Sequence, residues 1–324
     1  MLREQQVGIL HRCRRGSHPS TCRWNRDVAI EHVQTKREIQ SLLDSIGVRP
    51  RKRFGQHFLI DGNLMRLLVA SAELQSEDRV LEVGPGTGGL TDLLARSVDE
   101  LVCVEVDRDL QELLATRFAT QSNVRLIRAD ILESKHRLNS DVVEWLESGG
   151  PLPKRPIKLV ANLPYQVATP LVMNLLVQHP QVRRLCFTVQ AEVGDRFMAE
   201  PGTRDYGPLS IVVHLLARAR MVSRLPPTVF WPAPTVDSVM MSFEVREQPP
   251  IPPKDYAAFA AFLRGIFDHR RKTLRAALSY VVDGDARDGL CREFDAARRP
   301  ECVPPLEWLD MFARTPGRSK EATS

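Results

Sequence analysis

The rhythm of apolar positions changes along this chain, and the changes predict its elements. Ile39, Leu42, Leu43 and Ile46 recur at helical spacing, and Gly47 supplies a stop. A further helix is predicted from Asp61 to about Glu73. Short apolar runs then follow as candidate strands: Arg79 to Val83, Leu101 to Glu105, Val124 to Ile127, Ile157 to Ala161 and Leu185 to Val189. Helical patterns lie between them, over Leu90 to Ser97, Asp109 to Phe118 and Thr169 to Gln178. Short apolar strands that alternate with helices predict a mainly parallel sheet covered on both faces. Val236 to Val245 alternates more cleanly and predicts a late antiparallel strand. Pro249-Pro250-Ile251-Pro252-Pro253 reads as a linker, and the remainder reads as helical. The expected organisation is a basic extension over 1–34, an α/β domain over 35–247 and a small helical domain over 248–324.

Composition narrows the class. The 324 residues are 43% hydrophobic, enough for a sizeable core. A net charge of +5 favours a polyanionic partner without requiring one. The six cysteines are scattered with no Cys-x-x-Cys, which argues against a disulfide framework and for a reducing cytoplasm. No apolar run approaches the ~18–20 residues of a membrane span. Residues 1–34 carry Arg3, Arg12, Arg14, Arg15, Arg23 and Arg26 with little periodicity, which predicts a disordered tail. Transit peptides share such a composition. His11, Cys13, His18 and Cys22 fit no standard zinc spacing, and no metal is expected.

The candidate chemistry sits at predicted strand ends. Gly84, Gly86 and Gly89 satisfy G-x-G-x-x-G after a strand and before a helix. Glu105 ends the next strand ~20 residues on, where it would accept hydrogen bonds from two ribose hydroxyls. This arrangement serves NAD and S-adenosylmethionine alike. Asp130, after the third strand, is placed either to accept from a cofactor's adenine amine or simply to shape a turn. Asn162-Leu163-Pro164-Tyr165 follows another apolar run. An Asn oxygen, a backbone carbonyl that Pro164 either follows or supplies, and a Tyr face make a socket for a flat amino-heterocycle. Two acceptors on an exocyclic amine would draw its lone pair out of the ring plane, and the ring would stack on Tyr165. Glycine turn and socket together predict methyl transfer from S-adenosylmethionine to a base. Two basic runs, Arg51-Lys52-Arg53 and Arg270-Arg271-Lys272, suit RNA phosphates; a solvated helix face is the competing reading.

These residues resemble the small-subunit rRNA adenine dimethyltransferases, over about 35–315. The resemblance rests on Arg51 to Leu59, Leu81 to Gly88, Val104 to Asp107 and Asn162 to Tyr165. It extends through Gln190 to Val193, Tyr206 to Ser210, Phe230 to Ser238 and Arg270 to Leu274. It implies a Rossmann-like S-adenosylmethionine-dependent methyltransferase sheet with a small C-terminal helical domain. It also implies two methyl transfers to each of two adjacent adenosines near the 3′ end of small-subunit rRNA, in a pre-assembled subunit. Cofactor contacts are implied at His57, Leu59, Gly84, Glu105, Asp130 and Asn162. Phe230 is implied to sandwich the target base against Tyr165. His57 stands where the family often has Asn, and the segments before Thr35 and before Pro156 depart from the family pattern. A monomer is expected. Rival readings are a large-subunit rRNA methyltransferase of the antibiotic-resistance type and a non-catalytic RNA-binding assembly or transcription factor. A third, an NAD-dependent dehydrogenase, lacks identifiable hydride-transfer residues.

Overall fold

The computed structural model describes residues 33–135, 137–148 and 155–315. The expectations for the basic tail and for His11, Cys13, His18 and Cys22 lie outside them. α1 (Lys36–Ser45) begins at a capping box: the Glu38 N–H donates to Thr35 Oγ1 at 3.4 Å, and the Thr35 N–H to Glu38 Oε2 at 2.7 Å. A two-residue strand, β1 (Phe58–Leu59), precedes α2 (Gly62–Ser71), whose N-cap Asp61 accepts from the Asn63 and Leu64 amides. The expected alternation follows as β2 (Arg79–Val83), α3 (Gly89–Ser97), β3 (Glu100–Glu105), α4 (Arg108–Arg117) and β4 (Val124–Arg128). A small hairpin, β5 (Leu132–Ser134) with β6 (Arg137–Leu138), leads into α5 (Ser140–Glu147). Then come β7 (Ile157–Asn162), α6 (Tyr165–Gln178), β8 (Val182–Gln190), α7 (Ala191–Phe197), α8 (Pro208–Leu216) and β9 (Ala217–Leu225). β10 (Phe230–Trp231), β11 (Ser238–Val245), α9 (Tyr256–Phe267), α10 (Leu274–Leu278), α11 (Gly284–Glu293) and α12 (Pro305–Ala313) complete the described chain.

The main sheet has seven strands in the order β4-β3-β2-β7-β8-β11-β9. β4, β3, β2, β7 and β8 pair in parallel, while β11 runs antiparallel to both β8 and β9. After β2 the chain builds outward through β3 and β4, then returns to place β7 on the other side of β2. Strand order reverses there, and a crevice opens beyond the carboxyl ends of β2 and β7. The predicted strands and the late antiparallel strand all form. The β1–β10 ribbon, the β5–β6 hairpin, α7 and α8 were not expected, and two further features differ. α6 starts at Tyr165, four residues before the expected Thr169, with Pro170 accommodated inside it. β9 was not expected, because it runs along the sheet's edge and its Arg218, Arg220 and Arg224 are exposed.

The largest apolar cluster starts under the sheet at Leu81, Phe187 and Phe243 and continues through Ile211 of α8 to Phe259, Trp308 and Phe312. Phe187, Phe197 and Phe243 meet edge to face, with centroids 5.1–5.9 Å apart. The Tyr206 hydroxyl donates to the Val303 carbonyl at 2.7 Å. The helices beyond residue 248 thus share a core with the sheet. No helix among the described residues is long and apolar enough to cross a membrane.

Candidate active site

A cavity of about 290 Å³ opens at the reversal point, lined by the glycine turn, Glu105, Asp130 and the Asn162–Tyr165 segment. The turn must be glycine for two reasons. Gly84 and Gly86 have φ of +70° and +62°, the left-handed region that side chains disfavour. A Cβ on Gly86 would also lie 2.7 Å from the Phe58 ring, and one on Gly84 3.1 Å from Pro164. The backbone therefore forms the cavity floor, with no side chain rising from Gly84 or Gly86.

Glu105 reaches this floor from the end of β3. Its Oε2 accepts from the Gly86 N–H at 3.2 Å and its Oε1 from the Asp107 N–H at 2.9 Å. Burial pushes its carboxyl up to about 7, against the pull of those amides. Each oxygen retains a further lone pair, and a ribose diol offers two hydroxyl donors to match. Glu82, below it on β2, is buried too. Its Oε2 accepts from Thr91 Oγ1 at 2.7 Å and from Cys103 Sγ at 3.4 Å, and burial pushes its carboxyl up to about 8.

Asn162 ends β7 with its carboxamide held at both ends. Nδ2 donates to the His57 carbonyl at 2.8 Å, and Oδ1 accepts from Thr188 Oγ1 at 2.5 Å. Reversing the amide would set oxygen against the His57 carbonyl, so these two bonds fix which atom is where. Oδ1 keeps a second lone pair. Tyr165 opens α6 on the same wall. Its hydroxyl shares a hydrogen bond with Ser238 at 2.8 Å, and its ring stacks on His57 with centroids 5.5 Å apart. Burial raises the Tyr165 hydroxyl above its ordinary value, with the Ser238 bond acting in the opposite sense. Acceptor, aromatic face, glycine turn and carboxylate therefore share one cavity.

Residues 47–315 match the family described as ribosomal RNA adenine dimethylase. This chain belongs to that family. Among its relatives, ribosomal RNA small subunit methyltransferase A of Moorella thermoacetica is 39% identical over 87% of this chain and 98% of its own length. The protein of the same name from Kineococcus radiotolerans is 39% identical over 92% of this chain and 96% of its own. Solved structures share the fold: a Plasmodium falciparum dimethyladenosine transferase has a TM-score of 0.63 at 22% identity, covering 79% of this chain and 96% of its own. The 23S rRNA methyltransferase ErmE gives 0.57 at 22% identity, covering 80% and 99%.

The other residues expected in this dimethylase divide into two groups. His57, Leu59, Gly84, Gly86, Glu105, Asp130, Asn162, Leu163, Pro164, Tyr165 and Arg53 all line the cavity. Asp130 stands exposed at its rim and accepts from the Leu132 N–H at 2.9 Å. His57 is held by Nδ1 against the Pro232 carbonyl at 2.6 Å. Phe230 is absent from the lining. It pairs with Leu59 in the β1–β10 ribbon and is 3% exposed, with its ring in an apolar cluster beside Met65 and Leu90. Arg51 is clasped by Asp107 and Asp109. Lys52 lies in the adjoining turn, Lys52–Phe54. Exposed Arg53 lies over the Phe54 ring, 4.6 Å from its centroid. Arg270 pairs with Glu301 at 3.3 Å, whereas Arg271 and Lys272 are exposed. Among the described residues, no group of three or more His, Cys, Asp or Glu is placed to hold a metal ion.

Four residues that line or brace this cavity went unread in the sequence. Gln34, at the end of the expected tail, is buried instead, bonding the Thr87 carbonyl at 3.1 Å and the Thr87 hydroxyl at 2.7 Å. Gln56 donates to Asp107 Oδ2 at 2.9 Å. Thr188 and Ser238 hold Asn162 and Tyr165. The only signal for Thr188 was a polar residue near the end of a predicted strand.

Proposed function

We propose that this chain is an S-adenosylmethionine-dependent enzyme that dimethylates N6 of two adjacent adenosines near the 3′ end of small-subunit rRNA, acting in the cytoplasm on a pre-assembled subunit. The observation that carries the reading is the Asn162–Tyr165 segment on the wall of the cavity that Gly84 and Glu105 floor. The names and full-length match of the bacterial relatives support the small-subunit choice.

The residues fit the cofactor. The left-handed glycines leave room for its nucleoside, and Glu105 offers the ribose diol two acceptors. Asp130 at the rim suits its adenine amine, and Leu59 and His57 line the same cavity. Bound there, S-adenosylmethionine supplies an electrophilic sulfonium methyl group. The protein's part is to hold the amine. Asn162 Oδ1 accepts one N6 hydrogen with the lone pair that Thr188 leaves, and the Leu163 carbonyl accepts the other. The nitrogen lone pair is thereby turned out of the ring plane for in-line attack, and positioning carries most of the catalysis. No base is needed before transfer, since the proton becomes acidic once the methyl arrives. Tyr165, held by Ser238 and His57, stacks on the extruded base. Phe230 completes a sandwich only by rotating out of its cluster. Exposed Arg53, Arg271 and Lys272 take phosphates, with Lys52 in the same basic run and residues 248–315 as the helical RNA-facing part. Arg51 and Arg270 do so only in competition with their carboxylate partners.

Labelled cofactor and undermethylated subunits test this. Primer extension is expected to stop at two adjacent adenosines in small-subunit RNA; a block confined to large-subunit RNA overturns the assignment. Asn162→Ala is expected to lose most transfer while keeping RNA affinity, and unchanged turnover discards the amine-holding role.

A further inference from the structure

The C-terminal helices bring two turns together. One, 268–273, joins α9 to α10; the other, 279–282, follows α10. Gly265 lies in α9 where any Cβ would collide with Val281, so its lack of a side chain lets the second turn close on the helix. Tyr280, the residue before Val281, then lands on His269 of the first turn. The two rings stack almost in parallel, with centroids 3.5 Å apart and planes 17° from each other. Tyr280 nevertheless remains 58% exposed. His269 covers one face of the phenol, and Tyr280 as a whole stays more than half exposed.

The first turn is cationic, while the second is followed by Asp283, Asp285 and Asp288 with Arg287. Residues 264–275 hold five basic side chains (Arg264, Arg270, Arg271, Lys272, Arg275) and one acidic, Asp268. Arg270 is engaged by Glu301, and Arg275 has Asp288 at 3.9 Å while its side chain stays 62% exposed. Arg271 and Lys272 follow His269 in the same turn and are exposed; the Lys272 N–H donates to the His269 carbonyl at 2.8 Å and folds the turn back on itself. A rigid aromatic face flanked by cations is what an unpaired nucleotide requires: a partner for the base's π-face and for its phosphates.

We propose that Tyr280, backed by His269, is a stacking platform for an unpaired RNA base, with Arg271 and Lys272 on the adjoining phosphates. The proposal rests on the RNA-methylating function above and adds a second base-binding point to it. Neither Tyr280 nor His269 lines the cavity of Gly84 and Asn162, so the base held here is not the one that receives the methyl group. Stacking of this kind selects unpaired over paired nucleotides and is tolerant of base identity. It would orient the subunit while the target adenosine enters the cavity.

The test uses the full chain and undermethylated small subunits. Filter binding and steady-state turnover are measured for the parent, Tyr280→Ala, Tyr280→Phe and His269→Ala. Tyr280→Ala is expected to weaken subunit binding about tenfold, the usual scale for one base–aromatic stack. At saturating subunits its kcat, and its KM for S-adenosylmethionine, are expected to match the parent's. Tyr280→Phe keeps the ring and is expected to bind like the parent; His269→Ala is expected to lose part of the affinity. Ultraviolet cross-linking of the parent is expected to join Tyr280 to an RNA base other than the methylated adenosines. Parental affinity in Tyr280→Ala, with or without a lowered melting temperature, assigns the ring pair to bracing the two turns and overturns the platform. Absence of any Tyr280 cross-link in a parent that binds subunits overturns it too, even where Tyr280→Ala fails to fold. A parent that binds subunits but transfers no methyl group refutes the enzymatic reading instead, and the binding and cross-linking results still judge the platform.

Discussion

Thr188→Val is the sharpest single probe of how this site works. Thr188 is fully buried on β8, directly opposite Asn162 in the parallel β7–β8 register. Val has nearly the same shape and suits a strand, so packing is retained and only the donor to Asn162 Oδ1 is lost. One hydrogen bond to a half-buried amide contributes ~1 kcal/mol to stability, and the fold should survive with a loss of that order. Turnover should respond more. Without Thr188 the carboxamide keeps one tether, the His57 carbonyl, and can swing or reverse, presenting N–H groups where the amine needs an acceptor. Removing an orienting partner of a buried polar group puts ~1–3 kcal/mol at stake. If that appears in the transition state alone, the rate falls roughly 5- to 150-fold. Single-turnover methylation with saturating subunits and labelled cofactor measures the step directly. Calorimetric cofactor affinity and filter-binding RNA affinity should stay at parental values. Thr188→Ser restores the donor and should recover most of the rate. A parental rate in Thr188→Val, or a Ser variant as slow as the Val one, would show that the amide needs no such restraint.

The remaining predictions concern charge and backbone. With its carboxyl pushed up to about 7 by burial, Glu105 takes on a proton as pH falls through that value, and the proton occupies an oxygen the ribose needs. Cofactor affinity should rise with pH, by up to ~tenfold per unit below that point, and level off above it; a flat calorimetric profile from acid to alkaline pH refutes the role. Glu82 is raised from 4.5 to about 8, so the folded state holds its proton more tightly than the unfolded state does. Its contribution to stability therefore declines as pH rises between those values, by up to ~1.4 kcal/mol per unit, and Glu82→Gln should flatten the profile in urea titrations. Equal pH slopes in the two proteins would count against that. Gly86→Ala combines a φ of +62° with a contact 2.7 Å from Phe58, and should cost ~2 kcal/mol or more along with cofactor binding; an unchanged melting temperature and affinity refute it. Arg271→Ala should lower the salt slope of RNA binding by about one without changing stability, whereas Arg51→Ala should lower stability through loss of its clasp on Asp107 and Asp109. The reverse pattern would exchange their roles.

The parts of this protein that could be read from its sequence are those whose cause is local. β2, β3 and β7 announce themselves because inner strands are covered on both faces and each carries an apolar run: Val80-Leu81, Leu101 to Val104 and Leu159 to Ala161. The glycine turn is legible because left-handed backbone has few other residues to choose from. β9 escaped because an edge strand has one neighbour, β11, and carries Arg218, Arg220 and Arg224 where an inner strand would carry apolar residues. The direction of Phe230 escaped for another reason: its ring follows from the pairing of β10 with β1, a contact 171 residues apart, and nothing in Phe230-Trp231-Pro232 encodes it. The same division runs through the active site. Residue type alone showed that Asn162 could accept a hydrogen from an amine. What makes the acceptor face the amine is a carbonyl 105 residues away and a hydroxyl 26 residues away, joined only once the sheet has closed. A substitution at Asn162 therefore tests the chemistry, while one at Thr188 tests whether the fold's restraint of that chemistry is what catalysis depends on.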